Sequence, residues 1–144
     1  MTTTNKHDWI VYTDGASRGN PGLAGAGAVI YTNNNKTLGF KKFLGIQTNN
    51  QAEYEGLILA LTELQKLEAK NILLNADSEL MIKQLNGIYR VKNPRILDLY
   101  IKAKKIIKDL EPISFVHVPR NENKKLIYWP IWPLMKKTPL NNGP

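Results

Sequence analysis

Three acidic residues stand where the chain changes character. Asp14 follows the apolar run Trp9 to Thr13, Glu53 follows the polar stretch Thr48-Asn49-Asn50-Gln51, and Asp77 follows Asn71 to Ala76. Carboxylates that converge suit hard divalent cations, because Mg²⁺ takes oxygen ligands in octahedral geometry and keeps waters and substrate phosphates in its shell. Two such ions about 3.5–4 Å apart can stabilise both the attacking and the leaving oxygen of a phosphodiester displacement. Each acid also has an ordinary structural use. Asp14 before Gly15 suits a turn, Glu53 in a first helical turn suits the macrodipole, and Asp77-Ser78 can start a helix. Whether the three act together depends on the elements that carry them.

Trp9 to Thr13 is β-branched and aromatic and ends at Asp14-Gly15, which predicts a strand running into a turn with Asp14 at the strand end. Ala24 to Thr32 and Thr37 to Ile46 read as two more strands joined by Asn33-Asn34-Asn35, completing a three-stranded meander. Thr48-Asn49-Asn50-Gln51 has the form of a capping box, and Leu57, Ala60, Leu61, Leu64 and Leu67 follow at helical spacing, so a helix begins near Asn49. Asn71 to Ala76 predicts a short strand that puts Asp77 at its end. Leu80 to Leu85 predicts a short helix closed by Asn86-Gly87. Pro94 opens a long amphipathic helix through Leu110, and Ile113 to Val118 alternates as a fifth strand. The order is βββαβααβ, a mixed five-stranded sheet of the α/β class with helices against it.

The chain has 144 residues, which fits one core, and 20 Lys and Arg against 12 Asp and Glu give a net charge of +8. That balance favours a polyanionic partner, nucleic acid first, because basic side chains that neutralise phosphates release counterions. The absence of cysteine excludes disulfides, thiolate zinc sites and cysteine nucleophiles. No apolar run approaches the roughly 20 residues of a membrane helix, and Met1 to Asp8 lacks the apolar segment of a secretory signal. A cytoplasmic monomer with no membrane contact is the expectation. Gly19-Asn20-Pro21-Gly22 lacks the Gly-Lys-Ser/Thr of a phosphate-binding loop, so no nucleotide cofactor is expected. His7 and His117 are the only histidines, and His117 reads as a half-buried strand residue.

Three stretches in order, Thr13-Asp14-Gly15-Ala16-Ser17 with Gly19-Asn20-Pro21-Gly22, Thr48 to Glu53, and Ala76-Asp77-Ser78, resemble the motif set of type I ribonuclease H. The resemblance covers about Trp9 to Lys125. Tyr89, Val91 to Arg95 and Val118-Pro119-Arg120 look like the compact bacterial and archaeal branch without a long basic protrusion. It implies a ribonuclease H-like fold and hydrolysis of the RNA strand of RNA/DNA hybrids. By the same resemblance, Asp14, Glu53 and Asp77 would be catalytic ligands of Mg²⁺, with Mn²⁺ as substitute. Ser17, Asn20, Asn49, Asn50 and Glu79 would be substrate-binding, lining the minor groove where 2′-hydroxyls distinguish RNA from DNA. Glu79 departs from the glutamine the family often has there. On structural grounds alone, Asn20 could hold a loop and Asn49 or Asn50 could cap the helix.

After Lys125 the pattern breaks. The family continues Ala-Asp into an amphipathic helix, that Asp being a fourth metal ligand, whereas this chain reads Leu126-Ile127-Tyr128-Trp129-Pro130-Ile131-Trp132-Pro133 and has no acid after Glu122. Pro130 and Pro133 would each cost a helix interior about 3 kcal/mol, so the usual C-terminal helix is disrupted. One added A in the adenine run of permitted Lys124-Lys125 codons shifts the frame to Lys-Lys-Ala-Asp-Leu-Leu-Ala-Asn-Leu-Ala-Ile-Asp-Glu-Lys, the family's ending. The expected division is a ribonuclease H-like domain, 1–125, and an atypical tail, 126–144, which is either frameshift-derived or a natural variant whose Tyr128, Trp129 and Trp132 cover the sheet. Loss of the fourth carboxylate implies impaired activity, and the alternative is an inactive module that binds hybrid or double-stranded nucleic acid.

Overall fold

The computed structural model describes residues 7–120. Its elements are β1(Trp9–Ser17), β2(Gly22–Tyr31), β3(Thr37–Gln47), α1(Asn49–Lys66), β4(Ile72–Ala76), α2(Glu79–Leu85), α3(Pro94–Leu110) and β5(Ile113–His117). This is the βββαβααβ order read from the sequence. The tail, 126–144, and the disrupted terminal helix expected there lie outside the described residues.

Local chemistry accounts for the helix starts. Thr48, not Asn49 or Asn50, caps α1: its hydroxyl accepts from Gln51 N at 3.1 Å, and Gln51 Oε1 accepts from Thr48 N at 2.8 Å. This reciprocal pair satisfies two amides that the helix cannot. Asn93 caps α3 by accepting from Arg95 N and Ile96 N, with Pro94 at the first helical position, where its missing N–H is harmless. Asn86 ends α2, and Gly87 takes φ 78°, a left-handed conformation that glycine adopts without strain.

The sheet order is β3-β2-β1-β4-β5. β1, β2 and β3 form the antiparallel meander, while β4 lies parallel to β1 and β5 parallel to β4. Helix α1 packs on β1 and β2 and against α3. Leu57, Leu61 and Leu64 of α1 are fully buried with Val11, Ile30 and Leu74 of the sheet, each such side chain contributing about 1.5–3 kcal/mol. No helix among the described residues is long and apolar enough to cross a membrane.

Two expectations need correction. β1 does not end at Asp14 but runs to Ser17, because Asp14 through Ser17 keep pairing with Gly27 through Ala24 of β2 after β4 has stopped opposite Thr13. His117 is exposed rather than half-buried, because it is the last residue of β5, which among the described residues is an edge strand with no neighbour on its outer side.

Candidate active site

The parallel pairing of β1 and β4 brings two of the three acids together. Thr13 pairs with Ala76, so Asp14 and Asp77 are the next residues on adjacent strands and leave the pair at the same end. Glu53 arrives from α1. It is the fifth residue of that helix and so lies beyond the first turn, contrary to the expectation that it sits there to complement the macrodipole.

Two glycines set the distance between helix and strand. A Cβ on Gly15 would lie 2.0 Å from the Ala52 carbonyl oxygen, and a Cβ on Gly56 would lie 2.6 Å from the Asp14 carbonyl oxygen. Backbone rests on backbone at both points, and this contact places Glu53 beside Asp14. Gly15 reads as a turn residue in the sequence and is in fact a packing device. Gly56 carries a signal that the motif reading passes over: a glycine inside a helix costs about 1 kcal/mol against alanine and needs a reason to be there.

Carboxylate oxygens of Asp14, Glu53 and Asp77 all lie within 4.8 Å of one another. Asp14 is 1% exposed, and its Oδ1 accepts from Gly15 N at 2.8 Å. Glu53 Oε1 is buried and has no hydrogen-bond partner among the described residues. Burial above all, then the charges of Asp14 and Asp77, push the Glu53 carboxyl well above its ordinary value, while Arg120 and the Gly15 N–H act weakly the other way. A buried like-charge cluster with an orphaned oxygen is unfavourable alone and is relieved by a cation. The all-oxygen donor set fits a hard divalent ion such as Mg²⁺ or Mn²⁺.

Beside the cluster, the other expected residues fall into two groups. Ser17, Asn20 and Asn49 interlock: Asn49 Oδ1 accepts from Ser17 N and Ser17 Oγ, both at 3.0 Å, and Asn20 Oδ1 accepts from Asn49 N at 3.0 Å. The Ser17 hydroxyl also reaches the Gly19 carbonyl. This network ties the β1–β2 turn to the start of α1. Because both asparagine oxygens are engaged, the side-chain NH₂ groups are the ends left to donate outward. Asn50 is exposed and lines a cleft of about 280 Å³ with Asn20, Thr48, Asn93 and Arg95. Glu79 stands apart on the first turn of α2. It pairs with Lys83 at 2.9 Å, and this hydrogen bond and charge lower its pKa.

Arg90, Lys92 and Arg95, to which the sequence assigns no site role, line the two clefts that adjoin Asn50. Their signal was the basic run around Asn93-Pro94. Beneath them, Tyr54 Oη donates to Gln84 Oε1 at 2.7 Å in the interior and fixes α2 to α1.

A family model described as reverse transcriptase-like matches residues 12–127. The bifunctional protein Rv2228c of Mycobacterium tuberculosis is 40% identical over 79% of this chain, which spans 32% of that protein. Ribonuclease HI of Halobacterium salinarum is 36% identical over 79% of this chain and 58% of its own length. The chain thus spans well under two thirds of these curated relatives. Among solved structures, LC11-RNase H1 in complex with RNA/DNA hybrid is similar at 40% identity with a TM-score of 0.74, covering 81% of this chain and 89% of that one.

Proposed function

The chain belongs to the type I ribonuclease H family, and on that premise we propose that it is a divalent-cation-dependent endonuclease acting on the RNA strand of RNA/DNA hybrids. The observation that carries this reading is the convergence of Asp14, Glu53 and Asp77 within 4.8 Å beside a buried Glu53 oxygen that has no hydrogen-bond partner among the described residues. The similar structure that holds an RNA/DNA hybrid supports the substrate class. The enzyme acts as a cytoplasmic monomer and needs no nucleotide cofactor.

In this reading Asp14, Glu53 and Asp77 hold Mg²⁺, or Mn²⁺ in its place. When bound, such a cation neutralises charge and polarises the attacking water and the leaving oxygen of a phosphodiester. The three carboxylates keep it at one end of the β1–β4 pair, and the two glycine contacts hold Glu53 in place. Asn20 and Asn49 turn NH₂ donors toward a groove whose base edges are mainly acceptors and whose 2′-hydroxyls also accept. Ser17 fixes Asn49, while Asn50 and Glu79 flank the bound strand.

A second reading, a hybrid-binding module without turnover, is favoured by one feature: no Asp or Glu follows Glu122, and Ile127 stands where the family's pattern has an acid. An apolar side chain supplies no anionic oxygen, so a second cation binds weakly and cleavage is impaired. The separating experiment is cleavage of a labelled RNA/DNA hybrid with Mg²⁺ or Mn²⁺ by this chain, by Asp14→Asn and by a version carrying the Ala-Asp ending. Cleavage lost in Asp14→Asn supports the enzyme. Binding with cleavage only in the Ala-Asp version supports the module, and neither binding nor cleavage by any version refutes both.

A further inference from the structure

Strand β3 carries an exposed strip that the proposed cleavage does not use. Lys41 is exposed, and Phe43 and Ile46 are 65% and 63% exposed. The cross-strand register relates this strip to the carboxylates. Asp14 pairs with Gly27, which pairs with Lys41; Ala16 pairs with Gly25, which pairs with Phe43. Directly opposed residues share a face, so Lys41 and Phe43 lie on the Asp14 face of the sheet, two strands away or about 10 Å. The middle member of each row is a glycine, so no β2 side chain stands between.

A β-bulge completes the strip. The β2–β3 register shifts between Ala24 and Gly25, leaving Leu44 as the extra residue beside Gly45 at φ 72°. Without the shift, Phe43 and Ile46, three apart, would point to opposite faces. With it, Phe43 opposes Gly25 and Ile46 opposes Leu23, two positions apart on β2, and both reach the same face. The strip is thus an aromatic ring and an aliphatic side chain beside a lysine, on a strand that contains no acidic residue.

We infer that Lys41, Phe43 and Ile46 take the single-stranded continuation of the RNA strand where it leaves the hybrid, a contact that rests on the hybrid reading above. The strand that lies against Asp14 is the one that is cut, so its extension toward β3 is RNA. A single strand suits the strip better than a duplex, because an exposed ring on a strand can stack only on a base that has left its own stack. Lys41 meets the phosphate between such bases. Pairing of β3 with a second copy of the chain is the competing use of the surface, and the adjacent charges of Lys41 and Lys42 oppose it.

The test is binding in EDTA, which separates affinity from cleavage. It compares a blunt RNA/DNA hybrid with hybrids bearing about six extra ribonucleotides at the 5′ or the 3′ end of the RNA strand. One extension is expected to tighten binding about five- to tenfold over the blunt duplex. Phe43→Ala abolishes that gain and leaves blunt affinity unchanged, Phe43→Trp keeps it, and Lys41→Ala reduces the salt dependence of extended binding by about one ion. Thermal melts of each variant verify that the exposed substitutions leave the fold intact. No gain from either extension, equal losses on blunt and extended hybrids in Phe43→Ala, or a dimer in sedimentation that Phe43→Ala dissolves would each overturn the inference. Failure to bind even the blunt hybrid would instead remove the hybrid reading on which it rests.

Discussion

The carboxylate corner and the Ser17–Asn20–Asn49 network lie within a few residues of each other in β1 and α1, yet they are built on opposite terms. In the corner, three acids share a small volume, one Glu53 oxygen is buried with no partner among the described residues, and burial raises the Glu53 pKa. In the network, both asparagine oxygens are already satisfied by protein donors. The corner carries like charges that a cation would offset, whereas the network satisfies its acceptors internally and leaves its NH₂ donors outward. One region holds unfavourable electrostatics, and the other has its polar groups paired within the protein.

The comparison is sharpened most by Glu53→Gln, which should act with opposite sign on activity and on metal-free stability. Hybrid cleavage should fall about 10²–10³-fold, the loss expected when one charge-stabilising group is removed. In EDTA the same substitution should stabilise. A carboxyl whose folded pKa is raised contributes stability that is full below its ordinary value of 4.5 and is lost as pH rises through the folded value. Glutamine has no such loss. Urea midpoints should therefore favour Glu53→Gln at pH 7 by on the order of 1 kcal/mol and converge with wild type near pH 4. A destabilised variant at pH 7 would mean that the corner is not under charge strain.

Gly15→Ala tests the contact that assembles the corner. The added methyl overlaps the Ala52 carbonyl, so α1 must move. A loss of about 3 kcal/mol in denaturant unfolding is expected, together with loss of cleavage. Unchanged stability would show that helix and strand have room to spare.

Asn49→Asp and Asn49→Ala separate the two ends of one side chain. Aspartate keeps the acceptor for Ser17 at a helix N-terminus, where an acid is welcome, so stability should hold while hybrid affinity drops about tenfold through loss of the outward donor. Alanine should lose both, with about 1 kcal/mol of stability, measured by melting and by binding to a blunt hybrid. If aspartate binds hybrid as well as asparagine does, the outward NH₂ group is not a contact. The smallest effect is expected from Glu79→Gln, whose exposed pair with Lys83 should leave the unfolding midpoint unchanged.

Most of the fold could be read from the chain because its punctuation is local. The Thr48–Gln51 capping box, Asn86-Gly87 and Asn93-Pro94 each act within a few residues, and all of them end or start the element that the sequence suggests. The convergence of Asp14, Glu53 and Asp77 was also legible, through motif resemblance rather than through any one acid. What the sequence concealed depends on pairing over long separations. Asp14 lies inside a strand because Gly27 to Ala24 continue to pair with β1, and Glu53 reaches it because Gly15 and Gly56 let two backbones touch. His117 is exposed because of its place at the sheet edge, which alternation along β5 does not reveal. Lys41 and Phe43 gain their relation to Asp14 only through two rows of strand pairing and a bulge.

The most direct measurement is a calorimetric titration of the metal-free chain with Mg²⁺, repeated with Mn²⁺, at pH 7 beside Asp14→Asn. Saturable binding by the wild type that is lost in Asp14→Asn is the expected result, since the proposed site would offer a cation three converging anionic oxygens. No binding by the wild type, or equal binding by both proteins, would mean that these carboxylates do not form a cation site, and the proposed nuclease would lose its foundation.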